Sequence, residues 1–160
     1  MHLNDGNLIP QIGFGTYKLT NNKQAIVEAI VEAGYRHIDT ASKYENEETI
    51  GEAIQESLKI TGLKREHLFV TTKIWFEEFD DPEVALRASM SRLRLDYVDL
   101  YLIHWPVGFF AAKKVPLHVL WPQLEALVDK GLARSIGVSN FNMQLLCDLL
   151  CYSRIKPVCN

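Results

Sequence analysis

Along this chain, short apolar and β-branched runs alternate with stretches in which apolar residues recur every three or four positions. The runs are Ile12-Gly13-Phe14-Gly15-Thr16, Tyr35-Arg36-His37-Ile38, Phe69-Val70-Thr71-Thr72, Val98 to Ile103 and Ser135-Ile136-Gly137-Val138. Each reads as a short buried strand. Between them, Ala25, Ile26, Ala29, Ile30 and Ala33 make one helical stripe closed by Gly34, and Ile50, Ala53, Ile54 and Leu58 make a second closed by Gly62. Asn46 is placed to cap the second helix, with Glu47 and Glu48 in its first turn. Asp81-Pro82-Glu83 combines cap, first-turn proline and first-turn acid, and opens a helix to about Leu95. Further helices are predicted from about Trp121 to Lys130, after a loop with Gly108 and two lysines, and from about Asn142 to Tyr152. Ahead of the repeats, His2 to Ile9 reads as a hairpin turning at Asn4-Asp5-Gly6-Asn7, a cap on the repeating part of the chain. Pro157-Val158-Cys159-Asn160 reads as the opening of a sixth strand.

Strand followed by helix, repeated, gives parallel strands joined by right-handed crossovers, so the C-terminal strand ends collect on one face. Those ends are Asp39, Lys73, His104 and the Ser139-Asn140 pair, 31 to 36 residues apart. This is the length of one βα unit in an eight-fold barrel, whose chemistry gathers at that face. The fold class expected is therefore α/β: a partial (β/α)8 TIM barrel with an N-terminal β-hairpin, truncated after about five βα units. Residues 1–160 are expected to form a single domain, incomplete at its C-terminus. Five strands and a stub leave open barrel edges, for which self-association is the expected outcome.

Composition narrows the function. Hydrophobic residues are 48%, charged residues 23%, and the net charge is −3 without a long run of one sign, so neither nucleic acid nor an anionic membrane is the expected partner. The N-terminal residues do not read as a secretory signal, so none is expected, and no apolar stretch is long enough to span a bilayer. Three clustered cysteines, Cys147, Cys151 and Cys159, make no disulfide framework and lack partners for a metal site. Cys147 and Cys151 read as core residues of a leucine-rich helix, no metal is expected, and a reducing cytoplasm fits best.

Asp39, Lys73, His104 and the nearby Tyr44 form a chemical set. A free tyrosine, with a pKa of about 10, is a poor acid at neutral pH. A cation within about 4 Å is worth roughly 4 kcal/mol at an effective dielectric near 20, more than the ~2.7 kcal/mol that two pKa units require. A carboxylate beside the lysine keeps it charged, and an imidazole can orient a substrate oxygen. Taken singly the residues have plainer readings: a structural ion pair at the rim for Asp39 and Lys73, a satisfied histidine, a packing tyrosine. Their coincidence at strand ends, with Trp75 and Trp105 just beyond, favours a site.

Six ordered stretches resemble the aldo-keto reductase superfamily: Gly13-Phe14-Gly15-Thr16-Tyr17, Arg36-His37-Ile38-Asp39-Thr40-Ala41, Tyr44-Glu45-Asn46-Glu47, Thr72-Lys73-Ile74-Trp75, Asp96 to Pro106, and Ile136 to Phe141. The resemblance implies reduction of a small-molecule aldehyde or ketone, with NADPH, or NADH, bound without a Rossmann domain. It implies a catalytic tetrad of Asp39, Tyr44, Lys73 and His104 with Tyr44 as proton donor. Thr16, Tyr17, Asp39, Ser139 and Asn140 would contact the cofactor, and Tyr17, Trp75 and Trp105 would wall the substrate pocket. Family members continue beyond this length, and the loop that grips the adenosine phosphate would lie past Asn160. Weak NADPH binding and no carbonyl reduction are therefore expected of the 160 residues alone. Two other readings stay open: an inactive truncated or regulatory protein keeping the fold, and a lyase forming a Schiff base at Lys73.

Overall fold

The computed structural model describes residues 1–20, 22–106 and 114–160. Five strands, β1 (Phe14–Gly15), β2 (His37–Asp39), β3 (Phe69–Ile74), β4 (Val98–Ile103) and β5 (Ala133–Val138), alternate with five helices. These are α1 (Lys23–Val31), α2 (Glu47–Thr61), α3 (Pro82–Leu93), α4 (Leu117–Asp129) and α5 (Met143–Tyr152). The strands pair in parallel in the order β1-β2-β3-β4-β5. Beyond β5, Val158 N–H donates to Ile136 O and Val138 N–H to Cys159 O, both at 3.0 Å, so the last residues extend the pairing as the sequence predicts. This is the five-unit part of a (β/α)8 barrel.

The period-two alternation of each strand sorts its side chains. Ile38, Val70, Ile74, Tyr101, Ile103, Ile136 and Val138 pack with the helices in the main core. Phe69, Leu100 and Leu102 lie in a second, smaller cluster with Leu3 of the N-terminal hairpin. The hairpin is closed by a His2–Leu8 bridge and turns at Gly6, whose φ of +87° suits glycine. Asn4 donates to Pro157 O, and Ser135 donates to Asp5 at 2.6 Å, so polar bonds fix the cap to the far end of the sheet.

Two expectations need correction. Helix α4 begins at Leu117, four residues before the predicted Trp121, and carries Pro122 inside it. The proline removes one helical N–H, but Leu120 and Trp121 are wholly buried and the Trp121 indole donates to Ile155 O at 2.9 Å, so packing outweighs the local signal. Cys147 and Cys151 are exposed, not core: α5 turns Leu149 inward, with Leu145, Leu146 and Tyr152 packed beside it, and the thiols fall on the opposite side. Gly108 and one of its loop's two lysines lie outside the described residues.

Helices α2 and α3 approach so closely that only glycine fits at position 51. A Cβ there would stand 2.7 Å from the backbone carbon of Leu93 and would press on Arg92 O as well. Alanine gains about 1 kcal/mol of helix propensity, but forcing two backbones apart costs roughly 1–3 kcal/mol or more. Gly51→Ala is expected to lower the unfolding free energy by a net of about 1–2 kcal/mol, seen as a lower urea midpoint; an unchanged or raised midpoint would contradict this contact.

Candidate active site

The residues at the C-terminal strand ends do meet. Asp39 ends β2, and Lys73 is the last inward residue of β3, next to Thr71, which pairs with Asp39. The Lys73 ammonium donates to Asp39 Oδ1 at 2.7 Å, to Thr40 O at 2.8 Å and to the Tyr44 hydroxyl oxygen at 3.3 Å. An ammonium has three N–H donors, and here each has an acceptor. Because Tyr44 accepts from Lys73, its own proton points elsewhere, and Tyr44 lines a cleft of about 480 Å³ with Tyr17, Lys43, Trp75, His104, Trp105 and Asn140.

His104 follows β4 directly and stands edge-on to Tyr44, with ring centroids 5.5 Å apart, and edge-on to Trp75 at 5.0 Å. Burial, helped by the Lys73 cation and opposed by Asp39, pushes His104 from its ordinary 6.5 down to about 4. At neutral pH it is an uncharged imidazole, with one N–H donor and one bare nitrogen. Its Nδ1 is buried with no partner among the described residues, leaving the ring's hydrogen bonding open to an incoming group.

The other predicted residues fall around this centre. Tyr17 is exposed and leans on Tyr44 at a centroid distance of 5.0 Å. Trp75 and Trp105 line the cleft. Asn140 sits in the left-handed region, φ +63°, and donates to His104 O at 2.8 Å and Ser139 Oγ at 3.0 Å. Thr16 differs in kind: it is wholly buried, and both its N–H and its hydroxyl donate to Asp39 O at 3.0 Å. It holds the end of β2 from behind. Gly13 is explained by packing, since a Cβ there would lie 2.7 Å from His37 Nδ1.

Sequence reasoning missed three supports. Asn46 does not cap α2 with its side chain. It is buried and donates to Thr16 O at 2.8 Å and Leu19 O at 3.1 Å, tying the Tyr17 loop to the Tyr44 turn. The Glu78 carboxylate accepts from Ser42 Oγ at 2.7 Å and Trp75 N–H at 2.9 Å, joining the Tyr44 turn to the segment after Lys73. Lys43 stands on the cleft wall with its ammonium 5.6 Å from the Trp75 ring centroid. Only Asn46 carried a signal, being part of the family-like stretch Tyr44-Glu45-Asn46-Glu47.

Compared with known proteins, residues 11–160 match the model of the Aldo/keto reductase family. An NADH-dependent D-xylose reductase of Candida parapsilosis is 44% identical over 180 residues, covering 98% of this chain and 55% of that protein. Methylglyoxal reductase of Salmonella typhimurium is 42% identical over 162 residues, covering all of this chain and 56% of its own length. Among solved structures, a Bombyx mori aldo-keto reductase in complex with NADP superposes with a TM-score of 0.92 at 42% identity, over 99% of this chain and 55% of that one. The aldose reductase of Schistosoma japonicum gives 0.91 at 40%, covering 99% of this chain and 58% of that one. The chain thus spans about half the length of the relatives it matches.

The depressed value of His104 has a testable sign. Its folded value lies below the ordinary 6.5, so the unfolded chain takes up this proton first as pH falls. The stability it supports is whole above about 6.5 and is lost from there down to about 4. The His104 ring resonances are expected to titrate with a midpoint near 4 by NMR, and the loss of stability over that window should be smaller in His104→Gln. A midpoint at the ordinary 6.5 would show that the ring is not desolvated as described.

Proposed function

The chain belongs to the aldo/keto reductase family, and from that premise we propose that it carries the proton-donating face of a nicotinamide-dependent reductase of small aldehydes or ketones. The observation that carries this reading is the orientation of Tyr44. Lys73 fills one side of the hydroxyl oxygen, and the phenolic proton is left for the cleft beside an uncharged His104. A carbonyl oxygen in the cleft can accept from Tyr44 O–H and from an imidazole N–H of His104. Both donors meet the charge that grows on that oxygen during reduction, where such contacts are worth most. Tyr44 then gives its proton to the oxygen, and Lys73, with Asp39 behind it, stabilises the negative charge left on the tyrosine.

The polar groups of the face suit a dinucleotide with a carboxamide-bearing ring. Asn140 lines the cleft beside His104, and with its amide N–H groups given to His104 O and Ser139 Oγ, its Oδ1 can accept from a carboxamide N–H. Ser139 and Asn140 would hold that end, with Asp39 and Tyr17 at its edge and Thr16 supporting them from below. When bound, the reduced nicotinamide supplies the hydride to the carbonyl carbon. NADPH is the cofactor we assign, with NADH as the alternative, since one relative is named for NADH and a solved neighbour holds NADP. Schiff-base chemistry fits less well: the nucleophile must be a free amine, and every N–H of Lys73 is held by an acceptor. Among the described residues no helix is long and apolar enough to cross a membrane. Exposed free thiols at Cys147 and Cys151 support a reducing cytoplasm as its location.

The test is NADPH oxidation across a panel of aldehydes by this chain joined to the C-terminal part that its relatives carry, with Tyr44→Phe alongside. General-acid roles contribute about 10²–10⁴-fold, so Tyr44→Phe is expected to lose at least about 100-fold in kcat while cofactor affinity holds. A variant retaining more than about a tenth of the rate would remove Tyr44 from the role of proton donor.

A further inference from the structure

We propose that Glu78, which is not among the residues lining the cleft, is a positioning residue for the proton donor: through Ser42 it holds the turn that carries Tyr44 against the strand that carries Lys73. The inference rests on the carbonyl-reductase reading above and adds a residue that acts on the same site from behind.

Tyr44 ends a three-residue turn, Ser42–Tyr44, whose start has no side-chain cap. Backbone bonds close it, from Tyr44 N–H to Ala41 O at 3.0 Å and from Glu45 N–H to Ser42 O at 3.2 Å. The chain leaves the turn through Glu45 in the left-handed region, at φ +57°. A side chain disfavours that conformation, which persists only where the surroundings over-determine it. So short a turn with such an exit does not fix the place of a phenol by itself. Contacts on either side do. After the turn, Asn46 ties the chain to Thr16 O and Leu19 O, at 2.8 and 3.1 Å. At its start, the Ser42 hydroxyl donates to Glu78 Oε2 at 2.7 Å, with Lys73 O also within reach at 3.2 Å. The same carboxylate oxygen accepts from Trp75 N–H at 2.9 Å, two residues beyond Lys73. A hydrogen bond to a carboxylate is the stronger kind.

The bond that this arrangement protects is the weakest of the Lys73 set. The ammonium stands 2.7 Å from Asp39 Oδ1 and 2.8 Å from Thr40 O, but 3.3 Å from the Tyr44 oxygen. A contact that begins at 3.3 Å is lost by a shift of a few tenths of an ångström. The plainer reading is that Glu78 only closes its own turn, Phe76–Glu78, through Trp75 N–H. On that reading Glu78 affects the Trp75 wall and leaves Tyr44 alone.

The test uses this chain joined to the C-terminal part that its relatives carry, assayed with NADPH and an aldehyde. Glu78→Ala is expected to lower kcat at least about tenfold with NADPH affinity unchanged, since a displacement of about 1 Å can cost about 10²-fold. Glu78→Gln keeps an acceptor oxygen for both donors and should recover most of that loss. Ser42→Ala leaves the Trp75 N–H bond in place and should show a loss like that of Glu78→Ala, so the test does not depend on Glu78→Ala folding. The double variant should be no worse than Glu78→Ala alone, because both act through one bond. In a Tyr44→Phe background, Glu78→Ala should cost less than about twofold more. A further large loss there marks a general loosening and overturns the proposal, as does an unchanged kcat or an effect on KM alone. Fluorine NMR of fluorotyrosine-labelled protein gives a readout apart from activity. The Tyr44 resonance, identified by its loss in Tyr44→Phe, should shift in Glu78→Ala and return in Glu78→Gln. An unmoved resonance overturns the positioning role. A resonance that moves as described in a protein that reduces no aldehyde upholds the positioning of Tyr44 and counts against carbonyl reduction.

Discussion

A buried ammonium has to be surrounded by acceptors, and that requirement at Lys73 sets the relation of every other group in the site. Moving a charge out of water costs several kcal/mol even after relaxation. The Lys73 side chain is 7% exposed and its Asp39 partner 34%, so the pair is dry on one side and wet on the other. The three acceptors come from three places: the end of β2, the turn after it, and the Tyr44 hydroxyl on the following single helical turn. Loss of any one leaves an N–H of a buried cation without an acceptor. The ion pair therefore does two jobs: it keeps the lysine charged, and it fixes the distance from that charge to the tyrosine oxygen.

Strand β3 is held on both faces in this way. Inward, Lys73 reaches Asp39; one residue earlier and facing outward, Thr72 donates to Glu47 at 2.6 Å. Glu47 is itself buried and takes two bonds from Arg92 of α3, at 2.9 and 2.7 Å. The period-two alternation of a strand thus makes one residue part of the chemistry and its neighbour an anchor to the helical layer. The loops are tightened by side chains that bond backbone: Asn46 to two carbonyls, Glu78 to the Trp75 N–H, Thr16 to Asp39 O. Sites on loops depend on such supports, because a displacement of about 1 Å can cost about 10²-fold in rate.

The parallel sheet and the strand-end constellation were legible from the chain because both follow from local pattern: strand period, helix period and the 31-to-36-residue interval between strand ends. What was not legible is whatever depends on a partner distant in sequence. Asn46 has the chemistry of a helix cap, and only the proximity of Thr16 and Leu19 turns it inward. The helix predicted from about Trp121 begins at Leu117, where the burial of Leu120 and Trp121 extends it ahead of Pro122. Cys147 and Cys151 are apolar enough for a core and stand a turn apart, but α5 buries the side that carries Leu149. Glu78 and Lys43 are charged residues in connecting segments, where sequence gives no way to separate a support or a pocket wall from a solvated surface.

The distribution of charge comes from the same constraint. Since Lys73 is matched to Asp39 and bonded to Tyr44, its field is largely cancelled beyond the site, and the desolvated His104 adds no charge of its own at neutral pH. A cleft with such a centre can bind an uncharged carbonyl without drawing in anions that lack one. The Tyr44 hydroxyl and the uncharged His104 ring offer directed donors to a carbonyl oxygen without a net charge beside them.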